Sequence, residues 1–258
     1  SLSDGALVLS NGEGETPLIF QNKFGGYLYA ATDLGTMLMR SEYNNIVYVV
    51  DNRQHYHFEQ VFNHSKELVG DTKLEHVGFG TVNGPNGQAF KTRDGGVPTL
   101  SSLLDEAVDV IKSRSPNLSQ EDIEKIAMGA IKFSDLINKR TKGYNFDINS
   151  ATDPIGKTGP YIQYQITRIN SLGYYFYRET PYNCPDHAHS ILVKICEYRD
   201  IVEKVWETKM PHYLAQYLYE VASEFSSLYA KIPNLKESKE DRFWVCQVVT
   251  DQEKGCGL

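Results

Sequence analysis

Residues 125–168 carry seven Lys or Arg (125, 132, 139, 140, 142, 157, 168) against three acids (135, 147, 153), a local excess of +4 in a chain of formal charge -7. Tyr144, Phe146, Tyr161 and Tyr164 are interleaved with these cations. Cations in such a stretch bind phosphates, and aromatic faces are stacking platforms for unpaired bases. A solvated helical face with ordinary tyrosines has the same composition, so charge alone leaves both readings open. His55, His57, His64 and His76 suggest metal chemistry, but their spacings form no H-E-x-x-H and no closed ligand set. No metal site is expected. Asp186-His187-Ala-His189 reads as a helix start. Nothing resembles a Ser-His-Asp or Cys-His triad, and Cys184, Cys196, Cys246 and Cys256 never form C-x-x-C.

The elements that position these residues follow from periodicity. Ile46-Val47-Tyr48-Val49-Val50 is a continuous β-branched and aromatic run, which predicts a strand covered on both faces as in a parallel sheet. A helix is predicted before it, starting near Thr32-Asp33 with Leu34, Met37 and Leu38 inward. Another follows with Phe58, Val61, Phe62, Ser65 and Leu68 on one side and Gly70 as its stop. Helix, strand and helix in that order point to an α/β layer. Residues 78–96 hold six glycines (78, 80, 84, 87, 95, 96), which reads as a mobile loop.

Beyond it the period is 3.6. Leu103, Leu104, Ala107, Val108 and Ile111 form one stripe, and Ser115-Pro116-Asn117 breaks it. Ser119 with Asp122 opens the next helix, whose stripe is Ile123, Ile126, Ala127, Ala130 and Ile131. Further helices are predicted over about 159–178, 187–208, 213–230 and 239–253. The expected architecture is α/β plus all-α, in two domains, 1–110 and 111–258, the second a helical bundle. The 258 residues, 41% hydrophobic with a mean hydropathy of -0.41, are enough for real cores. No run of 18 apolar residues occurs, and the first residues lack the order of a signal peptide. Sparse cysteines fit a reducing cytoplasm, and a monomer is the expected state.

Gly84-Pro-Asn-Gly-Gln-Ala-Phe-Lys-Thr-Arg-Asp-Gly-Gly96 resembles the degenerate KMSKS-type signature loop of arginyl-tRNA synthetases. Tyr27-Leu-Tyr-Ala-Ala-Thr-Asp-Leu34, Val47-Tyr-Val-Val-Asp-Asn-Arg-Gln-His-Tyr-His-Phe58, Leu74-Glu-His-Val-Gly-Phe-Gly80 and Leu103-Leu-Asp-Glu-Ala107 are similar to that family's catalytic domain in order and spacing. Ile131-Lys-Phe-Ser-Asp-Leu136, Thr158-Gly-Pro-Tyr-Ile-Gln-Tyr164 and Tyr217-Leu-Tyr219 continue the likeness through the helical half. The resemblance implies the C-terminal half of a Rossmann-like nucleotide-binding catalytic domain, followed by an all-helical anticodon-binding bundle.

It also implies roles. Tyr29, Asp33 and Gln54 would bind arginine, whose five guanidinium donors suit a carboxylate, an amide and an aromatic face. Lys91 and Arg93 would be the catalytic cations of a loop that closes over ATP, with Gly95 and Gly96 as its hinge. His57, His76, Phe90 and Thr92 would join them around ATP, which enters as a substrate accompanied by magnesium; no tightly bound cofactor is implied. Tyr161, Gln163, Tyr164 and Arg168 would contact arginine tRNA, with Tyr217 and Tyr219 as second candidates, Tyr217 reading more readily as a packing residue.

Two departures stand out. Gln88 occupies a loop position where family members often carry Lys, and no His-x-Gly-His of the H-I-G-H type occurs in the chain. The resemblance therefore implies a fragment of a larger synthetase, inactive alone in amino-acid activation. The alternative is a free-standing tRNA-binding module without chemistry, against which stand the retained Tyr29, Asp33, Gln54, Lys91 and Arg93.

Overall fold

The computed structural model describes residues 1–12, 14–85, 87, 98–172 and 186–231, the last span with side chains from 189 onward. The chain divides into two compact units: Ser1–Thr81 with Thr141–Gly143, and Val82–Arg140 with the chain from Tyr144 onward.

In the first unit β1 (Leu2–Ser3), β2 (Ala6–Leu9) and β3 (Leu18–Gln21) form an antiparallel sheet. Helix α1 (Tyr29–Met39) leads to β4 (Asn45–Asp51), a 3-10 turn (Asn52–Gln54), α2 (His55–Val69) and β5 (Lys73–Phe79). Strands β4 and β5 run parallel, with Ile46 opposite Leu74 and Asp51 opposite Phe79. A parallel pair needs a crossover, and α2 supplies it. Met37 and Val61 are fully enclosed among Leu18, Ala30, Leu34, Phe58 and Val69, while Tyr48 and Val50 pack onto this core from β4.

Four expectations change here. Helix α1 begins at Tyr29, one turn before Thr32-Asp33. Leu38 and Leu68 lie on the exposed side, because Met37 and Val69 take the inward positions of their last turns. The strand is not covered on both faces: Val47 and Val49 are 42% and 63% exposed. The pleat sends alternate side chains to opposite faces, and α1 and α2 cover one of them. Glycine-rich residues 78–96 are not wholly a loop either, since Gly78 lies within β5. A Cβ on Gly78 would stand 2.2 Å from Asn52 Oδ1, so the strand passes close to a polar side chain that any larger residue would have to displace.

Among the described residues the second unit is helical apart from the short parallel pair β6 (Val82–Asn83) and β7 (Tyr144–Asn145). Thr99 caps α3 (Leu100–Arg114), and Ser119 caps α4 (Gln120–Leu136) through Asp122 N–H donating to its hydroxyl at 3.1 Å. Asp147 caps the short α5 (Ile148–Ala151), and Thr158 caps α6 (Gly159–Ser171) with Pro160 in its first turn. Then come α7 (Asp186–Cys196), α8 (Tyr198–Thr208) and α9 (His212–Lys231). The helix predicted over 187–208 is thus two helices, parted at Glu197, whose N–H donates to Lys194 O at 3.2 Å. That i to i−3 bond tightens the last turn of α7. The predicted helix over 239–253 and the end of the one over 159–178 lie outside the described residues.

One core joins Ala107, Ile111, Ile123, Ala127 and Ile131 to Phe146, Ile148 and Ala151. Another gathers Leu172, Ile191, Phe225 and Leu228. Helices α4 and α6 touch backbone to backbone: a Cβ on Gly159 would fall 2.3 Å from Gly129 O.

Candidate functional site

Open parallel sheets bind ligands outside the carboxyl ends of their strands. At that end of β4 the chain turns through Asn52–Gln54 into α2, bringing several polar side chains together. Asp51 fixes the turn: Arg53 donates its backbone N–H at 2.8 Å, Nε at 2.9 Å and a terminal N–H at 2.7 Å to that carboxylate. These bonds hold the Asp51 carboxyl down to about 2. Asn52 donates Nδ2–H to Thr141 O at 3.0 Å. Gln54 ends the turn with its side chain exposed.

His57, in the first turn of α2, places Nε2 2.7 Å from Asp33 Oδ2, its imidazole N–H donating to the carboxylate. Asp33 lies four residues after Tyr29 in α1, so the two share a helix face. Tyr29 is 83% exposed and presents a free aromatic ring. His57 was expected beside ATP; its Nε2 is occupied by Asp33, and its ring packs edge-on to Phe58 with centroids 5.3 Å apart. His76 on β5 meets His55 instead, Nδ1 to Nδ1 at 3.4 Å with ring centroids 5.0 Å apart. In this contact one ring donates and the other accepts. His64 Nε2 lies 2.7 Å from Asn11 Oδ1, away from the others. Among the described residues no three His, Cys, Asp or Glu side chains converge as metal ligands. Gln88, Phe90, Lys91, Thr92, Arg93, Gly95 and Gly96 lie outside the described residues.

The His55–His76 contact and the seat of Asn52 against Gly78 were missed in the sequence. A glycine inside an apolar strand was the available signal, since it marks a close approach.

In the helical unit Tyr161, Gln163, Tyr164 and Arg168 share α6. Gln163 donates Nε2–H to Lys125 O at 3.0 Å and lies against Gly129. Arg168 donates to Gln165 Oε1 at 2.9 Å, and its guanidinium sits 3.9 Å from the Tyr229 ring centroid and 5.5 Å from that of Tyr164. Tyr161 packs with Tyr219 at 5.7 Å, whereas Tyr164 is 56% exposed. Tyr217 is buried against Tyr198. Tyr144 donates its hydroxyl to Asp135 at 2.8 Å, and burial followed by that carboxylate pushes its phenol well up. No described helix is long and apolar enough to cross a membrane.

Residues 1–148 match the family described as tRNA synthetases class I (R), catalytic domain, and residues 162–251 match the DALR anticodon binding domain. The arginine--tRNA ligase of Francisella tularensis subsp. tularensis is 36% identical over 269 residues, covering 94% of this chain and 46% of the relative. That of Pseudomonas fluorescens is 38% identical over 248 residues, covering 87% of this chain and 43% of the relative. The chain thus spans about half the length of these curated relatives. The fold is that of the solved Thermus thermophilus arginyl-tRNA synthetase, with a TM-score of 0.79, 20% identity, and coverage of 97% of this chain and 51% of that one. Plasmodium falciparum arginyl-tRNA synthetase gives a TM-score of 0.73 at 24% identity, covering 99% and 47%. With a catalytic-family match over more than half its residues and an anticodon-binding match after it, the chain belongs to the arginyl-tRNA synthetase family of class I tRNA synthetases.

Proposed function

We propose that this chain serves in the ligation of arginine to its tRNA. Arginine is joined to ATP with release of pyrophosphate, and the arginyl group then passes to the 3′ end of arginine tRNA. The observation that carries the reading is the Asp33–His57 pair at 2.7 Å beside the exposed Tyr29, at the carboxyl end of β4. With His57 on Oδ2, the Asp33 carboxylate is oriented and keeps Oδ1 for a guanidinium N–H, a charge-assisted bond. The Tyr29 ring offers a stacking face for the planar guanidinium, and the Gln54 amide offers a further acceptor.

In the same reading Lys91 and Arg93 stabilise charge on the phosphates of magnesium-bound ATP, with His57, His76, Phe90 and Thr92 lining its site. Tyr161, Gln163, Tyr164 and Arg168 form the tRNA-facing helix, with the exposed Tyr164 as a stacking residue and Arg168 setting its position. Residues 1–110 serve the chemistry and 111–258 the tRNA, in a cytoplasmic monomer.

The sequence holds no His-x-Gly-His, so the 258 residues are expected to show no arginine-dependent pyrophosphate exchange alone. Joined to the preceding half of the Francisella relative, they should show it. Asp33→Asn in that fusion should lower exchange about 10²-fold, the scale of one lost charge-stabilising contact. An Asp33→Asn fusion as active as its parent would overturn the assignment.

A further inference from the structure

The residues expected to meet RNA lie on α6, yet the turn between α8 and α9 gathers cations and aromatic rings from several elements. Trp206, near the end of α8, is 69% exposed, with Lys209 Nζ 4.1 Å from its ring centroid. Lys209, in a left-handed conformation (φ 54), closes α8, and Arg140 Nε donates to its carbonyl at 2.8 Å. Lys204 Nζ stands 3.8 Å from the ring centroid of Tyr213, which itself packs against His212 at 4.2 Å. Two turns along α9, Lys157 Nζ lies 5.8 Å from the Tyr219 ring.

We propose that this corner, with Lys139, Arg140, Lys157 and Lys204 around the open ring of Trp206, binds the phosphate backbone of an RNA strand and stacks one of its bases on Trp206. The inference rests on the tRNA-binding reading above and adds a second contact surface to it.

Three features select RNA. The cations come from the segment after α4, the turn before α6, and α8, so they converge through the fold rather than by neighbouring in sequence. Among the described residues Lys139, Lys157 and Lys204 have no carboxylate within ion-pair distance, although the chain as a whole is acidic. Glu203, the acid one turn before Trp206, is taken by Arg199 at 3.0 Å. The field of these lysines is felt locally: after burial, Lys139, Lys204 and Lys157 are the causes that hold the His212 imidazole below its ordinary range. An anionic protein partner would need the cations, but an exposed indole flanked by them suits a base.

The test measures binding of an arginine tRNA transcript to the whole chain across a salt series. Replacing Lys139, Lys157 and Lys204 together by Gln should weaken binding and reduce the salt slope by about 2, for three lost phosphate contacts. Replacing the same three by Arg should retain both. Trp206→Ala should weaken binding about tenfold with the slope unchanged, as for one lost stacking contact. A chain that binds the transcript, with the Gln variant and Trp206→Ala both binding equally well, overturns this surface and leaves the tRNA-binding reading standing. A chain that binds no tRNA overturns both. A Gln variant that loses poly-glutamate but keeps tRNA makes the corner an acidic-protein site and also overturns the inference.

Discussion

Asp51 shows how a single carboxylate can organise a site without entering it. Its three hydrogen bonds from Arg53 are strongest to the ionised form and favour it, which is why the carboxyl gives up its proton at about pH 2. A depressed carboxyl contributes stability above the unfolded value near 4, and that contribution is lost as pH falls through the folded value. The carboxyl-carbon resonance of Asp51 should therefore titrate with a midpoint near 2, and Arg53→Ala should return it towards about 3.9. An unchanged midpoint in Arg53→Ala would assign the shift to something other than the side-chain pair. At this scale the sequence conveyed residue types: Tyr29, Asp33 and Gln54 were named through the family resemblance, and their aromatic, carboxylate and amide groups suit the donors of a guanidinium. The Asp33–His57 bond was not legible, because the two residues stand 24 positions apart and meet only once β4 and α2 have folded.

At the scale of elements, the two tight glycines differ in what surrounds them. Gly159 faces the backbone of Gly129, which cannot turn aside, whereas Gly78 faces the ends of the Asn52 and His76 side chains. Gly159→Ala should destabilise the helical unit by about 1–3 kcal/mol, the usual cost of forcing extra volume into a packed contact. Gly78→Ala should cost less, mainly through the displaced Asn52 and its bond to Thr141. Urea unfolding compares them, and a Gly159→Ala chain as stable as the parent would show that α4 and α6 can part without penalty. The start of α4 was readable because Ser119 caps as its chemistry dictates. The break at Glu197 was not, since neither Gly nor Pro marks it. The apolar run of β4 hid its exposed face for a related reason: Ile46 through Val50 carry no alternation, so composition alone cannot say which side α1 and α2 leave bare.

Across the whole molecule, charge is the property that sequence conveyed best and placed least. The excess over residues 125–168 was evident, but Lys125 turns to Glu121 at 2.6 Å and Arg168 to tyrosine rings, whereas Arg140 meets Lys209 at the end of α8 and Lys157 meets Tyr219 of α9, far along the chain. The bare face of β4 carries a different consequence. Val47 and Val49 present β-branched side chains to water on a strand that, among the described residues, pairs only with β5. Replacing both by Thr keeps the strand-forming shape and should change stability by no more than about 0.5 kcal/mol, while lowering light scattering on storage. A large loss of stability would mean the face is already covered. Until something covers it, that face is a source of latent free energy: any polypeptide that seats there and ignores the unfolded chain raises the melting temperature of the first unit in proportion to the logarithm of its concentration.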